Sequence, residues 1–385
     1  MRKFFIIIMM FHAVAASANV IQFLGGLSFN NPALLAQIKN NEFILGATVV
    51  YNNLIFNGTQ LDLRTFEYPY GQSRVSTTSF IPFGRAAQRL NDKWVFSLDV
   101  TQPFHSNLDW GRYSVGRYAA VDNFLRDYDF SPKLAFQFSK KLQIGAGINF
   151  NVLRNNEVSW VLPTGPVDSL LVNKTSSVGY GFNAGFNYAI TPMDQIGYTY
   201  YSRIKQRSEG YSRLGSQYRN NTQFFFNMPE TMVLSYLHIF NQKWLANIQI
   251  LRTSWNISQS VTFRNTVVGD FTFNMSYKAA MGVLAVIRHQ YNDKWAFSLF
   301  GMIDDGPENS NLRPLVFPSD VQYIGAATVE YFFTPTTMVQ VMTGALYSKT
   351  ILNNTIPVNG QRVSFTHGNV KIAAPFIEAR IKISR

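Results

Sequence analysis

The chain has 385 residues, no cysteine, 15% aromatic and 15% charged residues, and a formal charge of +12. Lacking cysteine, it cannot form disulfides, use thiol catalysis or bind a metal through Cys. No basic cluster or recognised motif accompanies the positive charge, so no nucleic-acid partner is expected, and contact with anionic lipopolysaccharide or plain solvation of the surface accounts for it.

The N-terminus comes first. Arg2 and Lys3 precede an apolar run from Phe4 to Val14, and Ala16-Ser17-Ala18 supplies small residues for cleavage. This is the pattern of a secretory signal peptide over 1–18, with the mature chain starting near Asn19 and carrying +10. Beyond residue 18 no run approaches the roughly 18 apolar residues that a membrane helix requires. An exported, aromatic-rich chain of this kind can cross a bilayer only as a closed barrel.

Residues 19–42, with Gly25-Gly26 and Asn30-Asn31-Pro32-Ala33, do not alternate cleanly and precede the first strand. Residues 43–385 read as a transmembrane, antiparallel, up-and-down β-barrel. Strand cores are expected at 43–56, 76–90, 94–104, 131–140, 142–153, 178–190 and 194–205. They continue at 229–240, 244–257, 278–291, 294–304, 321–333, 337–349 and 369–383, about fourteen in all.

Short turns at 91–93, 139–141, 191–193, 241–243, 292–293 and 334–336 alternate with seven longer connections, at 57–75, 105–130, 154–177, 206–228, 258–277, 305–320 and 350–368. Outer-membrane barrels sort their connections in this way, short on the periplasmic side and long outside, and an even strand number leaves both termini periplasmic. Asn91-Asp92-Lys93-Trp94 and Asn292-Asp293-Lys294-Trp295 are the same turn, and Asn241-Gln242-Lys243-Trp244 differs at one position. Asn and Asp tolerate positive φ, which suits tight hairpin turns. The Trp that opens each following strand marks an interfacial aromatic girdle.

Period-two alternation assigns the faces. Tyr180, Phe182, Ala184, Phe186 and Tyr188 point to lipid, and Gly181, Asn183, Gly185 and Asn187 to the lumen. In the last strand Ile377, Ala379, Ile381 and Ile383 face out while Glu378, Arg380 and Lys382 face in. Pro103 cannot donate to a ladder, so it either breaks the pairing of the third strand or ends that strand at its loop. Arg203 and Lys205 alternate with Tyr198 and Tyr200 and are expected in the lumen, as a clamp for a carboxylate or as part of a charge network. The 105–130 connection carries Trp110, Phe124 and Leu125 beside Arg117 and Arg126, a set suited to capturing an amphipathic acid or to packing over the barrel mouth. No His-x-x-x-His pair, Gly-x-Ser-x-Gly elbow or phosphate-binding loop is present, so neither metal nor cofactor is expected.

The order of short motifs resembles the FadL/TodX family of outer-membrane transporters for long-chain fatty acids and other hydrophobic compounds. It runs from Asn31-Pro32-Ala33 through Gln102-Pro103-Phe104, Ile144-Gly145-Ala146-Gly147 and Gly197-Tyr198-Thr199-Tyr200-Tyr201-Ser202-Arg203. It continues with Met228-Pro229-Glu230-Thr231, Thr253-Ser254-Trp255 and Phe317-Pro318-Ser319-Asp320. The resemblance implies a fourteen-stranded barrel with an N-terminal hatch that includes Asn31, Pro32 and Ala33. It also implies loop capture of a hydrophobic molecule, a lumen pocket, and sideways release through a gap in the third strand, which Gln102, Pro103 and Phe104 would border. A monomer is expected. A general diffusion porin and an outer-membrane barrel enzyme are the rival readings.

Overall fold

The computed structural model describes residues 26–385, apart from residues 276, 309–312, 314, 317, 319, 359, 360 and 385. The expected signal peptide, the start of the hatch segment, Phe317 and Ser319 lie outside the described residues.

Nineteen strand segments form one antiparallel sheet. In order they are β1 (Asn41–Gln60), β2 (Tyr70–Arg89), β3 (Trp94–Thr101), β4 (His105–Asp109), β5 (Asp122–Gln137), β6 (Leu142–Thr164) and β7 (Val167–Ala189). Next come β8 (Asp194–Tyr201), β9 (Ile204–Leu214), β10 (Gln217–Met228), β11 (Thr231–Ile239), β12 (Trp244–Thr253) and β13 (Ser260–Thr266). The last are β14 (Gly269–Asn274), β15 (Ala280–Gln290), β16 (Trp295–Asp304), β17 (Gln322–Thr334), β18 (Thr337–Val358) and β19 (Gln361–Ser384).

These segments make fourteen staves, because five staves are each interrupted once: β3/β4, β8/β9, β10/β11, β12/β13 and β14/β15. β1 closes the ring on β19, from Glu42↔Ser384 to Gln60↔Thr366. Closure pairs the first stave with the last, since an unpaired backbone amide in lipid would find no water.

The facing follows the alternation. Tyr180 (65% exposed) and Phe182 (54%) are bare to lipid, whereas Asn183 (1%) is enclosed. The lumen half holds ion pairs among buried groups: Arg85–Asp99 (2.7 Å), Lys133–Asp99 (2.8 Å), Arg288–Glu330 (2.7 Å) and Lys382–Glu42 (2.6 Å).

The three repeated turns are superimposable in their bonding. Asn91 Oδ1 accepts from the Lys93 and Trp94 amides (2.9 and 3.0 Å), Asn241 Oδ1 from Lys243 and Trp244 (2.9 and 3.0 Å), and Asn292 Oδ1 from Lys294 and Trp295 (2.9 and 2.9 Å). None of these asparagines adopts the positive φ expected of them. The side chain mimics a backbone carbonyl instead, which closes a four-residue connection without left-handed backbone. Positive φ falls on Asn155, Asn221 and Asn265, far from these turns. Each sits where strand register slips, between Leu153 and Asn156, Asn220 and Thr222, and Phe263 and Thr266.

Those slips bend long extracellular ribbons. Four connections read as loops, 154–177, 206–228, 258–277 and 350–368, are largely continued strand. β6 and β7, for instance, pair as far as Thr164↔Val167.

Candidate transport pathway

Inside the barrel the N-terminal segment ends in a short 3-10 helix, Pro32–Gln37. Asn31 caps it, accepting from the Ala33 amide at 3.0 Å, and Pro32 stands at its first position, where no amide is required. The wall beside it is bare backbone. A Cβ on Gly145 would meet Pro32 C at 2.5 Å, and one on Gly185 would meet Asn31 Oδ1 at 2.3 Å. Gly145 and Gly185 face each other across β6 and β7. Asn31 also donates to Phe186 O (2.8 Å), and Arg89 holds the helix end by donating to Ile38 O (2.6 Å) and Ala36 O (2.5 Å). Asn31, Pro32 and Ala33 are therefore docked against the lumen side of β6–β8.

Just ahead of it, Phe29 holds a left-handed backbone (φ 59°), uncommon for an aromatic residue. Its ring lies between Tyr201 (centroids 4.9 Å apart) and Phe104 (6.1 Å), and Phe104 in turn meets Trp255 at 5.9 Å. Leu125, Leu153, Ile204 and Met228 complete this cage. A cavity opens beside it, bounded on its other side by Asp129, Ser131, Lys133, Asn149 and Asn151.

The cage stands where staves fail. β3 pairs with β5 up to Thr101↔Asp129, and β4 resumes at His105↔Arg126, so Gln102, Pro103 and Phe104 oppose only two residues. Pro103 breaks the stave without ending it. Asp127 replaces the lost ladder bond, its Oδ1 accepting from the Phe104 amide at 2.8 Å. On the other side, β2 pairs with β3 only from Arg89↔Val95 to Gly84↔Val100. Above that, no backbone pairing joins β2 to β4 among the described residues, and only side-chain bonds such as Asn107 Nδ2 to Thr78 O (3.0 Å) bridge them. Had the ladder continued, Pro82 would face Gln102. The two prolines flank an unladdered seam beside the cavity, and Pro82 was not singled out from sequence because it sits mid-strand, paired with Ala47 of β1.

Other sequence candidates separate. Leu125 lines the cage, whereas Phe124 and Arg126 lie on the alternate face, the guanidinium 4.8 Å over the ring. Trp110 is buried in the packed barrel mouth and donates to Leu315 O at 3.2 Å. Arg117 is committed to Asp62 (2.8 Å) and Asp168 (3.1 Å), and Tyr118 bonds both carboxylates. Burial pushes the Tyr118 phenol up to about 12. Arg203 and Lys205 are exposed, contrary to the lumen position expected of them. The stave breaks at Ser202-Arg203, and that irregularity flips the alternation, so Ile204 and Gln206 face inward instead.

Sequence reasoning missed an aromatic cluster where three extracellular ribbons meet. Trp160 packs edge-on against Phe271 (5.6 Å), Phe273 (5.7 Å) and Phe263 (6.4 Å), and Phe263 against Phe224 (4.7 Å). Phe226 touches both this cluster and the cage, giving one apolar line from the outer ribbons to the lumen. Alternation of aromatic with polar residues in 258–277 was the available signal.

Closed staves, a lipid-facing aromatic belt, an N-terminal segment docked in the lumen and an apolar line inward define a bacterial outer-membrane channel. The family model for "Outer membrane protein transport protein (OMPP1/FadL/TodX)" matches residues 13–370, and the chain belongs to this family. Among curated relatives, the long-chain fatty acid transport protein of Escherichia coli O6:H1 is 21% identical over 398 residues, covering 90% of this chain and 83% of that protein. Its Salmonella typhi counterpart is 20% identical over 363 residues, covering 85% and 82%. Of solved structures, a Pseudomonas aeruginosa FadL homologue superposes with TM-score 0.83 at 16% identity (95% and 96% covered). The Pseudomonas putida toluene transporter TodX gives 0.66 at 15% (95% and 97%).

Proposed function

We propose that this protein carries long-chain fatty acids or other hydrophobic small molecules passively across the outer membrane. The extracellular ribbons capture them and the kinked third stave releases them sideways. The observation that carries the reading is the apolar line from Trp160 through Phe226 to Phe29 and Phe104, ending beside the Pro82/Pro103 seam. The curated relatives carry fatty acids by name and TodX carries toluene, which supports a hydrophobic cargo. Lipopolysaccharide surrounds the barrel, which works as a monomer and catalyses no reaction. The 19–42 segment acts as the hatch, with Asn31, Pro32 and Ala33 as its anchor, and it keeps the lumen shut to bulk solutes.

Uptake by cells lacking their own transporter tests this. Phe226→Asp, placing a charge in mid-route, should abolish uptake of both oleate and toluene while the barrel still assembles. Uptake at the wild-type rate would refute the route. The porin reading predicts steady ionic conductance in planar bilayers, which the docked plug and the lumen ion pairs argue against.

A further inference from the structure

The cavity beside Phe29 is two-sided. Leu27, Phe29, Pro103, Phe104, Ile204 and Met228 are apolar, and the facing wall from β5 and β6 is polar. Almost every polar group on that wall is already engaged. Asn183 donates to Ser131 Oγ (3.0 Å) and to Asn149 Oδ1 (2.8 Å), and Asn149 donates to Asp129 Oδ2 (2.5 Å). Asn151, opposite Asp129 in the ladder, is committed to Asp127 (2.9 Å) and accepts from Gln206 (2.7 Å). Lys133 donates to Asp99 (2.8 Å), which offsets its charge, and to the Tyr201 hydroxyl (3.0 Å).

Asn183 keeps one unpartnered oxygen, but it does not line the cavity; the unpartnered group that does is Asp129. The residue is 5% exposed, it lines the cavity, and its Oδ1 has no hydrogen-bond partner. A buried carboxylate oxygen without a donor is costly, so a group that supplies one is favoured there. A hydrocarbon supplies none. A second carboxylate would meet like charge at Asp129, and Lys133, the cation that lines the cavity, is already shared between Asp99 and Asp129. A hydroxyl donates to Asp129 Oδ1 and leaves its own oxygen free to accept.

We propose that Asp129 makes the lumen cavity selective for hydrophobic molecules bearing a neutral hydroxyl donor, phenols and alcohols, over both plain hydrocarbons and carboxylates. This rests on the reading of the cavity as the ligand's station in the lumen.

Three probes that share one scaffold, ethylbenzene, 4-ethylphenol and 4-ethylbenzoate, separate the possibilities in equilibrium binding to the purified full-length barrel. Wild type should bind 4-ethylphenol roughly tenfold or more tighter than either other probe, the effect of one hydrogen bond to a charged acceptor. Asp129→Asn keeps the shape. With its oxygen turned to Asn149 it presents NH2 to the cavity, so it should erase the preference for the phenol and improve 4-ethylbenzoate. Equal binding of ethylbenzene and 4-ethylphenol by wild type overturns the proposal, as does a ranking unmoved in an assembled Asp129→Asn barrel. Phe104→Ala is the control for the station itself. If it weakens all three probes while their ranking is flat, the cavity reading stands and the selectivity fails. If it weakens none, both fall.

Discussion

Replacing the two prolines that flank the seam should slow release without harming the barrel. Pro82 and Pro103 stand on either side of the interval where β2 and the third stave lose their backbone pairing, above Gly84↔Val100. Neither can donate an N–H across it. Pro82→Val with Pro103→Val returns two donors. Each amide–carbonyl bond regained contributes about 0.5–1.5 kcal/mol, so the pair favours the zipped seam by about 1–3 kcal/mol. At 1.4 kcal/mol per tenfold, the open population falls roughly 5- to 150-fold. Pro103→Val alone should do less, because Gln102, Pro103 and Phe104 face only two residues of β5 and the extra residue keeps the stave bulged. Deleting Gln102 in the double variant restores the count and should close the seam further. The assay is uptake of labelled oleate and toluene by cells expressing each variant, with heat-modifiable gel mobility reporting assembly. A correctly assembled double variant that transports at the wild-type rate would refute lateral release at this seam.

The plug should be dislodged by a single methyl group. Gly145→Ala and Gly185→Ala place a Cβ within 2.5 Å of Pro32 and 2.3 Å of Asn31 respectively, so each should raise planar-bilayer conductance above a near-silent wild type. The clamp of Arg117 on Asp62 should fail in acid. Burial raises the Asp62 carboxyl, but the Arg64 and Thr65 amides and the Arg117 guanidinium outweigh it and hold the carboxyl below its ordinary value. A depressed carboxyl stabilises above its unfolded value near about 4 and loses that contribution as pH falls through the folded value. Hydrogen exchange in 61–69 should therefore be slow at pH 7 and rise as the pH falls below the ordinary carboxylate range (correcting for the intrinsic pH dependence), and Arg117→Ala should show the fast pattern at both ends. Arg203→Ala and Lys205→Ala should leave fatty-acid affinity unchanged, since both side chains lie outside the lumen. A loss of affinity in either would return them to the ligand path.

What could be read in the chain, and what could not, divides along one physical line. Where a stave runs unbroken between lipid and lumen, burial alternates strictly, and Tyr180, Phe182, Asn183 and Glu378 lie where period two places them. The Asn-Asp-Lys-Trp turns were legible because their bonding is local, one asparagine side chain spanning two or three residues. Arg203 and Lys205 failed because one irregularity at Ser202 inverts the assignments beyond it along that stave. The aromatic ribbons at Trp160 and Phe263 failed for another reason: clear of the bilayer, nothing forces their outer face to be apolar, and Trp160 meets its partners only from a distant ribbon. The partners of Arg117 lie 51 and 55 residues distant, beyond any local pattern. Yet the interruptions are where the site is built. Pro103, Ser202 and Pro229 each break a stave, and all three line the cavity.

The competition between leaving downward and leaving sideways can be decided on energies. On the periplasmic side of the cavity the lumen is occupied by the buried Arg85, Asp99 and Lys133, and beyond them by buried Glu42 and half-buried Lys382, all paired. An apolar molecule moving down must part these charges and offers nothing in exchange. Leaving one member of a buried pair uncompensated costs about 3–5 kcal/mol, and the triad on Asp99 would lose two pairings at once. It must also displace a plug held by Asn31, Arg89 and a fitted glycine wall. Sideways, the ladder is already missing, Asp127 already satisfies the Phe104 amide, and Phe80, 58% exposed, stands on the β2 side of the seam, facing lipid. The bilayer also solvates an apolar cargo better than the periplasm does. On the proposed lateral route, the paired charges in the lumen are what give the seam its direction, and neutralising Asp99 should leak ions before it redirects cargo.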